Sequence, residues 1–358
     1  MNDRRAVVSD YNGTMTMVNQ PKKRPSMQDV ATLAGVSRTT ASFVINNVDG
    51  SGIPEETRRR VWEAVNQLSY RPNAIARGLR SAKTSTIGFI SDEVATSPFA
   101  GEIIHGAQDR AWEDEMLLLL VNTGGNQAMK RAAVEMLLQR QVEGIVYATM
   151  YHREVHPPES VRQAPTVLLD CYVADASLPS VVPDEVDGGR RATEVLLARG
   201  HRRIGFINNS DPVPATLGRL AGYQQALAAY GVPFDESLVV TGESQAYGGH
   251  DGAMALMQRA ERPTALFCFN DRMAMGAYDA LRKVGLSIPD DVAIVGFDNQ
   301  EFIAGQLYPA LTTMQLPHYQ MGRWAIEELL RLIAQGEPTA GPPVQHKMPC
   351  PLIERDSV

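Results

Sequence analysis

The chain has 358 residues, of which 44% are apolar, and a net charge of −7. It is long enough for two or three domains, and no apolar run approaches the 18 residues of a membrane span. Three scattered cysteines, Cys171, Cys268 and Cys350, argue against a disulfide framework or a metal knot.

Charge is unevenly spread. Residues 1–85 carry 13 Lys and Arg against 7 Asp and Glu, and the rest of the chain carries 21 against 34. A basic head on an acidic body fits phosphate binding at one end only. The opening MNDRRAVVSD has no apolar core that would act as a secretory signal, so the expected compartment is the cytoplasm.

Residues 1–25 are polar and irregular, and the reading assigns them no fixed structure. Met17 competes with Met1 as the natural start, and Lys22, Lys23 and Arg24 read as a solvated tail. Residues 26–71 read as a helix-turn-helix domain. Ser26 caps a first helix, with Asp29 three residues on, and Val30, Leu33 and Ala34 form its apolar side. Gly35 suits the positive φ of the turn, and Ser37 caps a second helix. On that helix Ala41, Val44 and Ile45 share one face, and Arg38, Thr39, Ser42 and Phe43 share the opposite one. One Arg, hydroxyls and an aromatic on an outward face is the chemistry of a helix entering a major groove. The segment from Pro54 gives a third helix, with Val61, Val65 and Leu68 joined by Trp62 as its apolar stripe. The next segment, RPNAIARGLRSAKTST, is basic, short and weakly helical, suited to folding only when docked.

From Ile87 the pattern becomes α/β. Runs such as TIGFI, MLLLLVN, GIVYAT, TVLLD, RIGFIN, ALFCFN and VAIVGFD alternate with helical segments, which predicts parallel sheets in two lobes. Ligands in such sheets sit beyond the carboxyl ends of strands. Asp170, Asn208, Asn270 and Asp298 are placed there.

Together, DVATLAGVSRTTASFVIN, YRPNAIARGLR, ARGHRRIGFI, RLAGYQQAL, FNDRMAMGAYDALRKVGLSIPDDVAIVGFDN and PALTTMQLPHYQMG resemble the lactose-repressor (LacI-type) family of bacterial transcription regulators, over residues 26–358. The resemblance implies a helix-turn-helix head, a hinge helix and linker at 72–84, and a two-lobed periplasmic-binding-protein-like body at 85–358 for effector binding and dimerisation. The first lobe is expected at about 85–182 and 316–342, the second at about 183–315 and 343–358. Arg38, Thr39 and Phe43 take the base-reading positions, Phe43 being a departure from the Arg or His of many relatives. Ser37, Thr40, Ser42 and Asn46 complete the DNA face of the head. Asn73, Arg77, Leu79 and Arg80 match the hinge helix, with Leu79 as the wedge at the central operator step. Asp170, Arg219, Asn270 and Asp298 match the effector pocket, a set suited to sugar hydroxyls. Ser244 stands where several relatives carry a stacking aromatic, leaving Phe99 as the aromatic candidate and His318 as a weaker one.

The function implied is a repressor bound as a homodimer to a pseudo-palindromic operator and controlled by a small molecule, a carbohydrate first, a purine or a phosphorylated protein co-regulator second. No leucine-heptad run follows LIERDSV, which favours a dimer over a tethered tetramer. A sugar receptor without DNA function is the rival from another class, opposed by the basic head. No cofactor and no enzyme activity are expected: P-loop, dinucleotide and G-x-S-x-G patterns are missing, and His152 and His156 lie in a loop-like segment without the order of a zinc protease.

Overall fold

The computed structural model describes residues 5–9, 15–19, 25–48, 50–71, 84–94, 101–336 and 341–358. It divides into two compact units, residues 1–84 and 85–358.

In the first unit, β1 (Arg5–Ser9) pairs antiparallel with β2 (Met15–Asn19), Arg5 opposite Asn19. This differs from the expectation of no fixed structure. Both segments are rich in apolar residues, RAVVS and MTMVN, and the Asn12-Gly13 dipeptide between them in sequence is a strong hairpin signal. A lone two-stranded hairpin is nonetheless only marginally stable in water.

Three helices follow: α1 (Met27–Ala34), α2 (Arg38–Ile45) and α3 (Glu55–Leu68). Their core is Val30, Ala31, Ala34, Ala41, Val44, Val61, Ala64 and Val65. Four of these eight are alanines, so the helices meet at short range and the core is small. That leaves no room for two residues the sequence reading put inside: Leu33 and Trp62 are both 46% exposed.

The second unit holds two six-stranded sheets. The first lobe's sheet contains β3 (Thr86–Ser91), β4 (Leu117–Asn122), β5 (Gly144–Glu154), β6 (Thr166–Tyr172), β7 (Ser180–Pro183) and β13 (Gln345–Met348). Its order is β13-β7-β6-β5-β3-β4, all parallel. The second lobe's sheet contains β8 (Ile204–Asn209), β9 (Val239–Gly242), β10 (Ala265–Cys268), β11 (Ala293–Asp298), β12 (Thr312–Gln315) and β14 (Leu352–Ile353), in the order β14-β12-β11-β10-β8-β9. Only β14 runs antiparallel. Burial on both faces, as in β6 and β8, explains most of the unbroken apolar runs in the sequence, but not that of β4, an edge strand whose leucines are largely exposed.

The helices are α4 (Gly101–Trp112), α5 (Gln127–Gln139) and α10 (His318–Gln335) on the first lobe, and α6 (Glu185–Ala198), α7 (Pro214–Ala229), α8 (Ala246–Met257) and α9 (Asp271–Lys283) on the second. Gly106 on α4 and Gly322 on α10 let these two helices touch backbone to backbone: a Cβ at Gly106 would stand 2.0 Å from the Tyr319 carbonyl oxygen.

The chain passes between lobes after Pro183, after Gln315 and after Met348. One lobe boundary therefore differs from the expectation. Residues 345–348, expected in the second lobe, form β13 in the first, where Gln345 pairs with Ser180 and the Ser180 hydroxyl donates to Gln345 Oε1 at 2.7 Å. A four-residue polar edge strand carries no pattern that says which sheet it joins.

Candidate nucleic-acid interface and effector cleft

The head presents α2 outward by capping both of its ends. The Ser26 hydroxyl and the Asp29 carboxylate cap each other's backbone at the start of α1, as the sequence predicts. Gly35 then turns the chain at φ 65°, and the Val36 N–H donates back to the Ala31 carbonyl at 3.0 Å. The Ser37 hydroxyl accepts from the Thr40 N–H at 3.0 Å and bonds the Thr40 hydroxyl at 2.8 Å. Beyond that cap Arg38 and Thr39 are exposed and Phe43 is 40% exposed.

Ser42 is the correction on this helix. It is buried, 7% exposed, and accepts from the Asn46 side-chain amide at 3.2 Å, while the same amide donates to the Ser42 carbonyl at 2.8 Å. Ser42 faces the small alanine core and not the outside. Asn46 is exposed but its amide closes the helix end. Ser37 and Thr40 hold the helix start. The outward chemistry that stays free is Arg38, Thr39 and Phe43. Asn73, Arg77, Leu79, Arg80 and Phe99 lie outside the described residues.

Residues 25–71 carry 5 Arg against 5 Asp and Glu. The positive excess of the head therefore sits in its flanks, residues 1–24 and 72–84. Positive charge available to phosphates is concentrated there, and Arg38 is the one charged residue of α2.

In the body, the carboxyl ends of the strands bring together charges from both lobes. Asp170 ends its run on β6 at φ 57° and is 2% exposed, and Asp298 ends β11 at φ 104°. Non-glycine residues held at positive φ are uncommon and concentrate at functional sites. Arg219, from α7, is 3% exposed. Its Nε donates to Glu185 Oε2 at 2.8 Å, its Nη1 donates to the Phe269 carbonyl, and Asp298 Oδ1 lies 3.8 Å from Nη1. Its guanidinium lies 4.4 Å from the ring centre of Phe269 and 3.6 Å from that of Phe297. Planar cation against aromatic face is a favourable and immobilising arrangement. Asn270 caps α9 by accepting from the Met273 N–H at 2.8 Å, and its amide donates to the Ser244 carbonyl at 3.2 Å. Ser244 thus contributes backbone, where an aromatic ring was the point of comparison.

Three groups here were missed from the sequence. Glu185 reads as an ordinary acidic residue in the first turn of α6, yet its carboxylate is buried against Arg219. Asp92, after β3, is buried and ion-paired with Arg153. His152 belongs to β5 and not to a loop, stands edge-on to Tyr172, and has a buried Nδ1 without a partner, whereas His156 is exposed. Strand β5 shifts register against β6 between Ala148 and Arg153, which re-aims these side chains.

Burial dominates the electrostatics. It pushes the Asp170 carboxyl well above the ordinary range, and Glu185 and Asp92 add to the rise against Arg219 and Arg153. It pushes Asp298 up to about 6, against the pull of Arg219. The His152 imidazole is pushed down by burial and stays neutral at pH 7.

Comparison with known proteins agrees with this geometry. Residues 26–73 match the model for bacterial regulatory proteins of the lacI family, and residues 84–355 match the model for periplasmic binding proteins and the sugar-binding domain of the LacI family. The ribose operon repressor of Escherichia coli K12 is 35% identical over 316 residues, 87% of this chain and 93% of that protein. The HTH-type transcriptional repressor PurR of Vibrio atlanticus is 34% identical over 310 residues, 86% and 92% of the two chains. The lac repressor dimer, solved with operator and an anti-inducer, superposes with a TM-score of 0.76 at 27% identity, over 94% of this chain and 99% of that one.

Proposed function

Because the chain belongs to the LacI family of bacterial regulatory proteins, we propose that it is a transcription repressor whose hold on its operator is set by a small carbohydrate between the two lobes. The observation that carries the reading is the pairing, in one chain, of a capped helix presenting Arg38, Thr39 and Phe43 with a two-lobed body whose strand ends converge on buried Arg219 and Asp170.

The head would read one half-site per protomer from the major groove: Arg38 by hydrogen bonds to a guanine edge, Thr39 and Phe43 by contact with thymine methyls. A homodimer places two such helices on a pseudo-palindrome. Support for the dimer lies at the free edge of the first sheet. Strand β4 carries Leu117, Leu119 and Leu120 exposed, and Trp112, at the end of the helix packed on it, is exposed as well. An apolar edge of this kind calls for a covering partner. Ligand and DNA are then linked: whatever factor the effector applies to operator affinity, the operator applies to effector affinity.

A purine effector is the weaker reading. The rings of Phe269 and Phe297 are committed to Arg219 and are not offered to a base. A cytoplasmic site of action follows from an operator partner, and no helix among the described residues is long and apolar enough to cross a membrane. We assign the cleft no catalytic role.

The test is a thermal-shift screen of the full chain against sugars, sugar phosphates and purines, followed by operator-release titration with each hit. A ligand at a hundredfold excess over its dissociation constant adds about 2.7 kcal/mol to stability. A sugar that raises the midpoint and alters operator affinity supports the proposal; a purine that does both, with sugars silent, replaces it.

A further inference from the structure

We propose that the effector is a polyhydroxylated amine, its ammonium group seated on Asp170. This rests on the interlobe cleft being the effector site and names the chemistry that site selects.

Four buried carboxylates meet in the cleft, Asp92, Asp170, Glu185 and Asp298, against two guanidiniums, those of Arg153 and Arg219. Each guanidinium is already committed: Arg153 to Asp92, and Arg219 to Glu185 and the Phe269 carbonyl. Asp298 shares Arg219 at 3.8 Å and accepts from the Gln300 side-chain amide at 2.8 Å. Asp170 is left over. It is 2% exposed, its Oδ1 has no hydrogen-bond partner, and no cation lies within ion-pair distance of it among the described residues. A buried acceptor without a donor is costly, and a buried ionised one far more so.

Three effector chemistries can be ranked on this arrangement. An anionic sugar would add a charge to a cleft with two carboxylates in excess and would find Arg219 occupied. A neutral sugar could offer Asp170 a hydroxyl but leave the excess uncompensated. An ammonium supplies both the missing donor and the missing charge. The other unpartnered buried atoms of the first lobe here, Arg153 Nε and His152 Nδ1, suit hydroxyl groups, which is why the skeleton is polyhydroxylated. Burial raises the Asp170 carboxyl well above its ordinary range, and an ammonium seated there favours the ionised form, so binding is accompanied by proton release to solvent.

The experiment is isothermal titration calorimetry of the full chain with matched triads: glucose, glucosamine and glucose 6-phosphate, then the corresponding galactose and mannose sets, with aminodeoxyalditols added. Each titration is run in two buffers of different ionisation enthalpy. The expected result is one skeleton whose amine binds roughly tenfold tighter than its neutral parent (1.4 kcal/mol at 25 °C), with proton release that Asp170→Asn removes along with the preference. Asparagine tolerates the left-handed backbone at this position, and an unchanged circular dichroism spectrum verifies the fold of the variant. A parent sugar or a sugar phosphate that binds as tightly as the amine overturns this inference and leaves the carbohydrate-controlled repressor standing. Silence from every sugar and every amine, with the protein folded and binding DNA, overturns the carbohydrate reading of the cleft and this inference with it.

Discussion

Replacing Glu185 with alanine strips Arg219 of its shortest ionic partner in a place where water cannot substitute. Both side chains are at least nine-tenths buried and meet at 2.8 Å. Breaking one side of a buried pair costs about 3–5 kcal/mol in comparable cases. Here Arg219 retains the Phe269 carbonyl, two aromatic faces and Asp298 at 3.8 Å, which places the loss at the lower end, about 3 kcal/mol. For a body of this size that corresponds to about 6 °C or more in melting temperature. Urea unfolding followed by far-ultraviolet circular dichroism reads it directly: the midpoint should fall with the slope unchanged. Glu185→Gln retains an acceptor for Arg219 Nε and should lose about half as much. A Glu185→Ala variant within about 0.5 kcal/mol of the parent would refute the claim that this pair anchors the cleft, since ordinary surface substitutions fall in that range.

Ser37→Ala should lower the stability of the head by about 1 kcal/mol, the usual worth of an N-cap hydroxyl, measured as a lower midpoint for that transition. Arg38→Ala should weaken operator binding by about 1–3 kcal/mol and relax sequence preference at one position, whereas Ser42→Ala should act through head stability and leave preference unchanged; a specificity change at Ser42 would contradict its buried position. Leu119→Glu, at the free edge of the first sheet, should give monomers in sedimentation at concentrations where the parent is dimeric. Because the folded-state pKa of Asp298 is raised to about 6 from an ordinary value near 3.8, the folded state binds the extra proton between those values. Stability should therefore decline as pH rises from about 4 to about 6 on this account, and Asp298→Asn should flatten that slope.

Legibility from sequence followed the size of each pattern. The helix caps at Ser26, Gly35 and Ser37 were legible because their chemistry is local, a hydroxyl or a missing Cβ at a fixed offset. The long apolar strands were legible because most are buried on both faces, which leaves no polar interruption; β4 was legible from the same pattern although its leucines are exposed at the sheet edge. Strands β7, β9, β12, β13 and β14 were not; each has four residues or fewer, and their partners are far away in sequence. Ser42, Leu33 and Trp62 were misplaced because a helical wheel gives angles and not the depth of the core. Four alanines among its eight residues keep that core small. Asp170, Arg219 and Asp298 were singled out from the sequence, but Glu185 was not: an acidic residue in a first helical turn has a sufficient local explanation, and its burial against a guanidinium supplied by α7 leaves no trace in its neighbours.

The burial of Ser357 has a consequence for the order of folding. Ser357 is fully buried; its hydroxyl accepts from the Thr312 N–H at 2.8 Å and donates to the Ile294 carbonyl at 2.6 Å, while the Ile294 N–H donates to the Ser357 carbonyl. Strands β11 and β12 therefore have their hydrogen bonding completed by a residue 45 and 63 positions further along the chain, and the first sheet likewise takes β13 from beyond the strands of the second lobe. Both sheets close only when distant segments arrive, whereas the three helices of the head close on contacts local in sequence. The head is therefore the part of the molecule that can form first, and the sheets of the body the part that must wait.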